Sequence, residues 1–263
     1  VGSSNVAGGV ADDPTVQSLV VEPLQHALAD MGANVVAESE VDLDGRRASV
    51  RGAESNEGNL IADALRWQAG QLASLYGVNF PDVALQNGGG IRNDNIIAAG
   101  PITELDTFAM VPFPNFLSVV EDISREQIKE ILENAVSRVE VGDGRFAQIS
   151  GFRFVYDATG TAQTVDAAGN VLTPGTRVRE VVLDDGTLLV GDGSVVPGPA
   201  LTIATIDFLA RSGDQYPFRG AAFTTLGVTY QLALQNYLQF GLSGLISAAD
   251  YPFGGEGRIT RLP

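Results

Sequence analysis

Six side chains and a run of glycines in this 263-residue chain are of types that could hold a planar, oxygen-rich ligand. Between Asp82 and Phe113 the sequence reads DVALQNGGGIRNDNIIAAGPITELDTFAMVPF. A β-prone segment ends at Asn87, breaks at Gly88, Gly89 and Gly90, and resumes with Arg92. Glycine loses more backbone freedom on folding than any other residue, so three in succession mark a positive φ or a close approach of the backbone to something else. Arg51 stands just before a capped helix, Phe113 follows Pro112, and Phe208, Gly213 and Asp214 lie in IDFLARSGDQY. Two aromatic rings can sandwich a heterocycle, each stack contributing about 1–3 kcal/mol. An asparagine amide both donates to and accepts from a base edge. A carboxylate can take hydrogen bonds from both hydroxyls of a ribose, and two arginines can neutralise a phosphate or bind sugar oxygens. Together these residues describe nucleoside or nucleotide binding. Singly, each has a plainer reading: Arg51 as a surface charge, the glycines as a tight turn, Phe113 and Phe208 as core, Asp214 as a turn aspartate. Spacing alone leaves both open.

The elements that must position these residues are legible in outline. Asp13-Pro14 is an N-cap and first-turn pair, followed at helical spacing by Val16, Leu19, Val20, Leu24, Leu28 and Met31, with Pro23 as a kink and Gly32 as the stop. Asn34 to Val50 alternates like strands around an Asp44-Gly45 turn. Ser55 or Asn56 caps a helix running to Tyr76 with Leu60, Ile61, Ala64, Leu65 and Leu72 on one face, and Gly58 in its first turn implies close packing. Phe116 to Val120 reads as a buried strand and Ser124 to Val139 as an amphipathic helix capped at Ser124. Residues 146–203 are β-rich, with a hairpin at Asp184-Asp185-Gly186 and loops at 159–176 and 191–199. A last helix at Val228 to Phe240 and a strand at Gly257 to Leu262 finish the chain. Strands and helices mix without regular βαβ alternation, so the expected class is α+β: one domain with a mixed β-sheet packed by helices, preceded by a helical extension.

Composition narrows the function. A formal net charge of −16, with a single lysine (Lys129), excludes a nucleic-acid surface, which needs excess Lys and Arg to displace counterions. A small anion would have to be held by local arginines against an unfavourable field, which makes each arginine's position informative. No cysteine is present, so disulfides and thiolate metal sites are excluded. The one histidine, His26, reads as a helix-face residue, and a self-contained two-metal hydrolase site is not expected. No apolar run reaches the length of a membrane span. Residues 1–12, small and polar, read as a disordered linker or vector-derived remnant.

The segments SNEGNLIADAL, ALQNGGGIR, the VPF after ELDTFAM, SREQIKEILENAV, GRFAQISGFRFVYD and TIDFLARSGDQY, in this order, resemble the C-terminal domain of the metal-dependent 5′-nucleotidase and UDP-sugar hydrolase family. The resemblance covers nearly the whole chain from Asp13. It implies a nucleoside-holding domain (34–263) behind an interdomain linker helix (13–33), with a base stacked between Phe113 and Phe208 and contacted by Asn87. Asp214, Arg51 and Arg92 would address the ribose and nearby oxygens, and Gly88, Gly89, Gly90 and Gly213 would shape the loops. Ser212 departs from the family, where glycine is usual, and a small residue there should leave the loop intact; Pro114 replaces another common glycine and would stiffen the Phe113 loop. The resemblance further implies a metallophosphatase domain preceding this region in cis, with two divalent metal ions there and none here, so that this chain alone would be inactive. It implies an exported bacterial protein: extracellular, periplasmic or attached to the cell wall. The ligand would be adenosine- or AMP-like. The same domain accompanies UDP-sugar hydrolases, cyclic-nucleotide phosphodiesterases and a thiosulfohydrolase, and the aromatic pair favours a nucleoside. The alternative of another class is a non-catalytic nucleoside-binding or surface-interaction module.

Overall fold

Asp13 begins the first helix as its side chain requires. In the computed structural model, which describes residues 12–263, its carboxylate accepts from the N–H groups of Thr15 and Val16 ahead of Pro14. The expectation for residues 1–12 lies, apart from Asp12, outside the described residues. Helix α1 (Pro14–Val16) runs through a wide π turn at Gln17–Val21 into α2 (Glu22–Ala33). Pro23 lacks an N–H, and just before it the N–H of Glu22 reaches back to Gln17 O. The helix passes Gly32 by one residue and ends at Ala33, with Asn34 as its C-cap.

Strands β1 (Val35–Ser39) and β2 (Leu43–Asp44) follow, and then α3 (Arg47–Val50), where strand had been expected. The alternation there was a poor guide because four residues suffice for one helical turn, and Arg51 is its C-cap. Helix α4 (Asn56–Tyr76) is capped by Ser55, whose hydroxyl accepts from Gly58 N, and closes on Gly77 at φ 66°. After β3 (Val83–Asn87), β4 (Ile96–Ile97) and β5 (Gly100–Thr103) comes α5 (Glu104–Met110), a helix with a Thr103–Asp106 capping box that the sequence reading passed over. The chain continues through β6 (Phe116–Ile123), α6 (Arg125–Val136), β7 (Ala147–Ser150) and β8 (Phe152–Tyr156). The loop expected at 159–176 contains a small ribbon, β9 (Thr164–Val165) with β10 (Val171–Thr173), and the hairpin at Asp184 joins β11 (Val178–Leu183) to β12 (Leu188–Gly191). Then come β13 (Ser194–Val195), β14 (Leu201–Ile206), α7 (Asp207–Ala210), β15 (Phe223–Thr229), α8 (Tyr230–Asn236), β16 (Leu245–Ile246) and β17 (Ile259–Arg261).

The α+β class is as expected, but the strands divide among several sheets. The central one has the order β15-β6-β14-β3-β7, with β14 parallel to β3 and its other pairings antiparallel. A second has the order β13-β12-β11-β8-β17. Helix α4 buries Leu60, Ile61, Ala64 and Leu65 completely, and Gly58 permits close packing: a Cβ there would overlap the side chain of Gln148 on β7. The consequence for function is topological. Strands β3 and β14 run in parallel side by side, so Asn87 at the end of β3 and the segment after Ile206 of β14 emerge at the same edge of the sheet.

Candidate functional site

At that edge lies a cavity of about 430 Å³, within the range of roughly 300–1,000 Å³ typical of small-molecule sites. Its walls are Arg51, Asn87, Gly89, Gly90, Arg92, Phe113, Pro114, Asn115, Gly144, Phe208 and Asp214. The structure therefore brings all six sequence-selected side chains to one wall or another of a single opening.

The glycines explain themselves by contact. None of Gly88, Gly89 and Gly90 has a positive φ; they form one 3-10 turn. A Cβ on Gly88 would overlap the carbonyl oxygen of Val50, and one on Gly90 the amide of Gln86. A Cβ on Gly89 would sit 3.1 Å from the α-carbon of Gly144. The run is needed for close approach, which presses the turn against α3 and so against Arg51.

Asn87 is buried, and its amide already has protein partners. Its Oδ1 accepts from Gln86 Nε2 at 2.8 Å and its Nδ2 donates to Asp214 Oδ2 at 2.6 Å, a link across 127 residues. One N–H of the amide remains for a ligand. Asn87 thus holds the Asp214 carboxylate in place, a role sequence reasoning did not assign.

Asp214 sits in a strained loop. Ser212, Asp214 and Gln215 have φ of 67°, 51° and 59°, a region that costs L-residues about 1–2 kcal/mol each. A buried polar frame holds it there. Asn134 Nδ2 donates to the Asp214 carbonyl at 3.2 Å, and Arg145 donates to Gln215 Oε1 at 3.1 Å and to Asn134 Oδ1 at 3.3 Å. The fully buried Tyr216 hydroxyl donates to the Arg145 carbonyl at 2.7 Å. Gly213 gives room to the aromatic wall: a Cβ there would lie 2.6 Å from the Phe208 ring. Ser212 itself, at φ 67°, holds a conformation that favours glycine.

The aromatic walls are tethered from behind. Phe113 and Phe208 are 42% and 41% exposed, so each ring has a face available to a partner. Asp207 Oδ1 accepts from the Phe116 N–H at 2.9 Å, joining the loop that carries Phe113 to the helix that carries Phe208. Tyr230, fully buried on α8, accepts from the Phe113 N–H at 2.9 Å and donates to the Gly90 carbonyl at 3.2 Å. Burial pushes the Tyr230 pKa up, so the hydroxyl keeps its proton. Sequence reasoning placed Tyr230 only on a last helix; Asp207, adjacent to Phe208, carried a local signal, and Tyr230 carried none.

The two arginines differ. Arg92 is exposed, with its guanidinium carbon 5.7 Å from the centre of the Phe113 ring. Arg51 is buried, and its Nε has no acceptor among the described residues. Burial lowers its pKa, with the like charges of Arg47 and Arg92, while Asp214 and Asp143 act in the opposite sense. An unpartnered N–H on a buried cation is a group to which an acceptor from a ligand is worth more than one in water. No group of three or more His, Cys, Asp or Glu residues able to hold a metal occurs among the described residues, so they do not fit a di-metal centre.

Residues 35–220 match the family model described as 5′-nucleotidase, C-terminal domain. The chain belongs to that family. It is 32% identical over 197 residues to the trifunctional nucleotide phosphoesterase protein YfkN of Bacillus subtilis, a match covering 74% of this chain and 12% of that protein. It is 26% identical over 256 residues to the snake venom 5′-nucleotidase of Gloydius brevicauda, covering 89% of this chain and 43% of that one. The crystal structure of a 5′-nucleotidase precursor from Thermus thermophilus superposes with a TM-score of 0.72 at 30% identity, over 96% of this chain and 44% of that one. This 5′-nucleotidase C-terminal domain thus spans less than half the length of these relatives. No helix among its described residues is long and apolar enough to cross a membrane.

Proposed function

We propose that this domain binds the nucleoside part of a nucleotide whose phosphate ester is hydrolysed by a metallophosphatase domain in the same polypeptide. The observation that carries the reading is the union of two exposed rings, an oriented carboxylate and an unpartnered buried arginine N–H around one cavity. The base stacks between Phe113 and Phe208; Asp214, fixed by Asn87, accepts from the ribose hydroxyls; Arg51 and Arg92 meet the oxygens on the sugar–phosphate side. Orienting the substrate in this way can account for several kcal/mol of barrier lowering, but it supplies no nucleophile. The two divalent metal ions that such hydrolysis uses, with the water they activate, belong to the other domain, and this chain alone is inactive. The relatives named as nucleotidases and nucleotide phosphoesterases support a nucleotide substrate, a venom enzyme among them supports an exported setting, and the Bacillus and Thermus relatives support a bacterial one.

Calorimetric titration with adenosine tests the reading. Phe208→Ala should weaken binding by roughly 5- to 150-fold, the equivalent of one stack, and Asp214→Ala should weaken it further. Wild-type affinity in both variants would overturn the assignment and leave a surface-interaction module instead.

A further inference from the structure

Near the cavity, the fully buried Glu57 and the half-buried Asn93 form a pair whose hydrogen bonding is incomplete by one proton. Glu57 lies in the first turn of α4 and is fully buried; Asn93 follows Arg92. Asn93 Nδ2 donates to Glu57 Oε2 at 2.9 Å. The remaining atoms of the two groups, Glu57 Oε1 and Asn93 Oδ1, are both buried and both lack a partner among the described residues. They are also neighbours, since both crowd the point where a Cβ on Gly45 would stand. Two acceptor oxygens close together and both shielded from water repel each other, and each leaves its hydrogen-bonding capacity unmet. Turning the amide over only exchanges the two contacts.

We propose that Glu57 is a positioning residue for Arg92: as a carboxylic acid it donates from Oε1 to Asn93 Oδ1, closing a two-hydrogen-bond ring that pins the chain leaving Arg92 to the start of α4. One proton satisfies both orphaned atoms at once. The surroundings favour that neutral form. Burial pushes the Glu57 carboxyl up to about 8, and the charge of Asp44 adds to the rise while the Asn93 hydrogen bond opposes it. Asp44, on β2, is itself held low against burial by Arg46 and by the Ser49 hydroxyl of α3. From α4, Asn56 Oδ1 accepts from the Asp44 and Glu57 N–H groups. The loop after Arg92 presents Asn95, which accepts from Asn93 Nδ2 at 3.2 Å, and Asp94, which accepts from the Arg47 N–H at 2.8 Å. No cation is paired with Glu57 among the described residues. The remaining bonds of this loop to 42–47 are backbone or surface contacts, so opening the ring loosens Arg92 without unfolding the domain.

The test reads the ring first without ligand, and with adenosine the extension rests on the nucleoside reading. Hydrogen exchange of the Arg92 amide, which donates to the Met110 carbonyl, and of the Gly45 amide, which donates to the Asn95 carbonyl of the same loop, is followed from pH 6 to 9.5, corrected for intrinsic rates, in the wild type, Glu57→Gln and Glu57→Ala. Glutamine offers the same donor–acceptor pair without a titrating proton. The wild type should lose protection in a one-proton transition near pH 8, Glu57→Gln should stay protected throughout, and Glu57→Ala should be open at every pH. Equal pH profiles in wild type and Glu57→Gln, or a Glu57→Gln variant as open as Glu57→Ala, overturn the proposal; the latter is also what a bridging cation in place of the proton would give. Adenosine affinity should follow the same three profiles. An intact ring in a protein that binds no adenosine would overturn the nucleoside reading alone.

Discussion

Replacing Tyr230 by phenylalanine removes one oxygen atom that touches no ligand, and should weaken both the fold and the site. The hydroxyl accepts from the Phe113 N–H at 2.9 Å and donates to the Gly90 carbonyl at 3.2 Å. Phe113 is on an exposed loop, so water can take over its N–H at little cost, whereas Gly90 is buried and its carbonyl loses a partner in a dry site. A stranded buried group costs about 1–3 kcal/mol; with only one of the two stranded, the lower half of that range applies, about 1–2 kcal/mol. In a domain of this size each kcal/mol moves Tm by about 2–4 °C, so the ligand-free variant should melt roughly 2–8 °C below wild type. The Phe113 loop also loses its tether. Re-ordering one residue on binding costs about 1–2 kcal/mol, so adenosine should bind about 5- to 30-fold more weakly. The informative comparison is Phe208→Ala, in which a half-exposed ring is removed: its affinity should fall while its Tm stays near wild type. Differential scanning calorimetry and titration calorimetry on the two variants measure both quantities. A Tyr230→Phe protein with unchanged Tm and unchanged affinity would refute the claim that this hydroxyl couples the glycine turn to the aromatic wall.

Other substitutions probe the opposite wall and the buried acid. Gly213→Ala places a methyl against both the Phe208 carbonyl and its ring and should cost adenosine affinity by tenfold or more, read by titration, because the aromatic wall must shift. Ser212→Gly relieves a residue at φ 67° and should raise Tm by a few degrees, since the left-handed region costs an L-residue about 1–2 kcal/mol and the extra flexibility of glycine when unfolded cancels only part of that. For Glu57, whose carboxyl is pushed up to about 8, the folded protein binds a proton between the ordinary glutamate range and that value while the unfolded chain does not. Stability contributed by this group must therefore fall as pH rises through that window, by on the order of 1 kcal/mol per unit, and level off above it. Denaturant titrations from pH 5 to 9 should show this component in wild type and lack it in Glu57→Gln.

The residues that line the cavity were legible in the sequence because their chemistry is uncommon for a plain turn: Asn87 before three glycines, Arg92 after them, an aromatic after Pro112, and Asp214 after Ser-Gly. Their supports were not. Tyr230 looks like any helix aromatic until α8 is packed behind the Phe113 loop, and Asn134 and Arg145 look like ordinary polar positions until the 212–215 loop is folded over them. Such roles depend on contacts between residues far apart in the chain, which no local pattern encodes. Short elements failed for a related reason. Arg47–Val50 and Glu104–Met110 are helices of one or two turns, held by capping and by what they pack against more than by an apolar stripe. The glycine run could be read as needed for close approach or positive φ, and only the Val50 carbonyl and the Gln86 amide decide between them.

A domain with a formal charge of −16 can attract an anionic ligand only if its local field is reversed at the site. Arg51 and Arg92 supply the positive charge, with Arg47 behind them, and the acidic residues nearby are each dealt with separately. Asp214 is held by Asn87, Asp143 is kept low against burial by the backbone and guanidinium of Arg145, and Asp44 is paired with Arg46. Among the described residues Glu57 has no cation to pair with, and the alternative open to a fully buried carboxyl is to keep its proton. In that form it contributes a hydrogen-bond donor instead of a negative charge, one residue away from Arg92 through Asn93. The same proton that completes the hydrogen bonding of the pair thus also withholds a negative charge from the neighbourhood of Arg92. Losing it would loosen the Arg92 segment and add a buried negative charge beside it, two effects of the same sign, so the alkaline fall in affinity for a phosphorylated ligand should exceed that for the uncharged nucleoside.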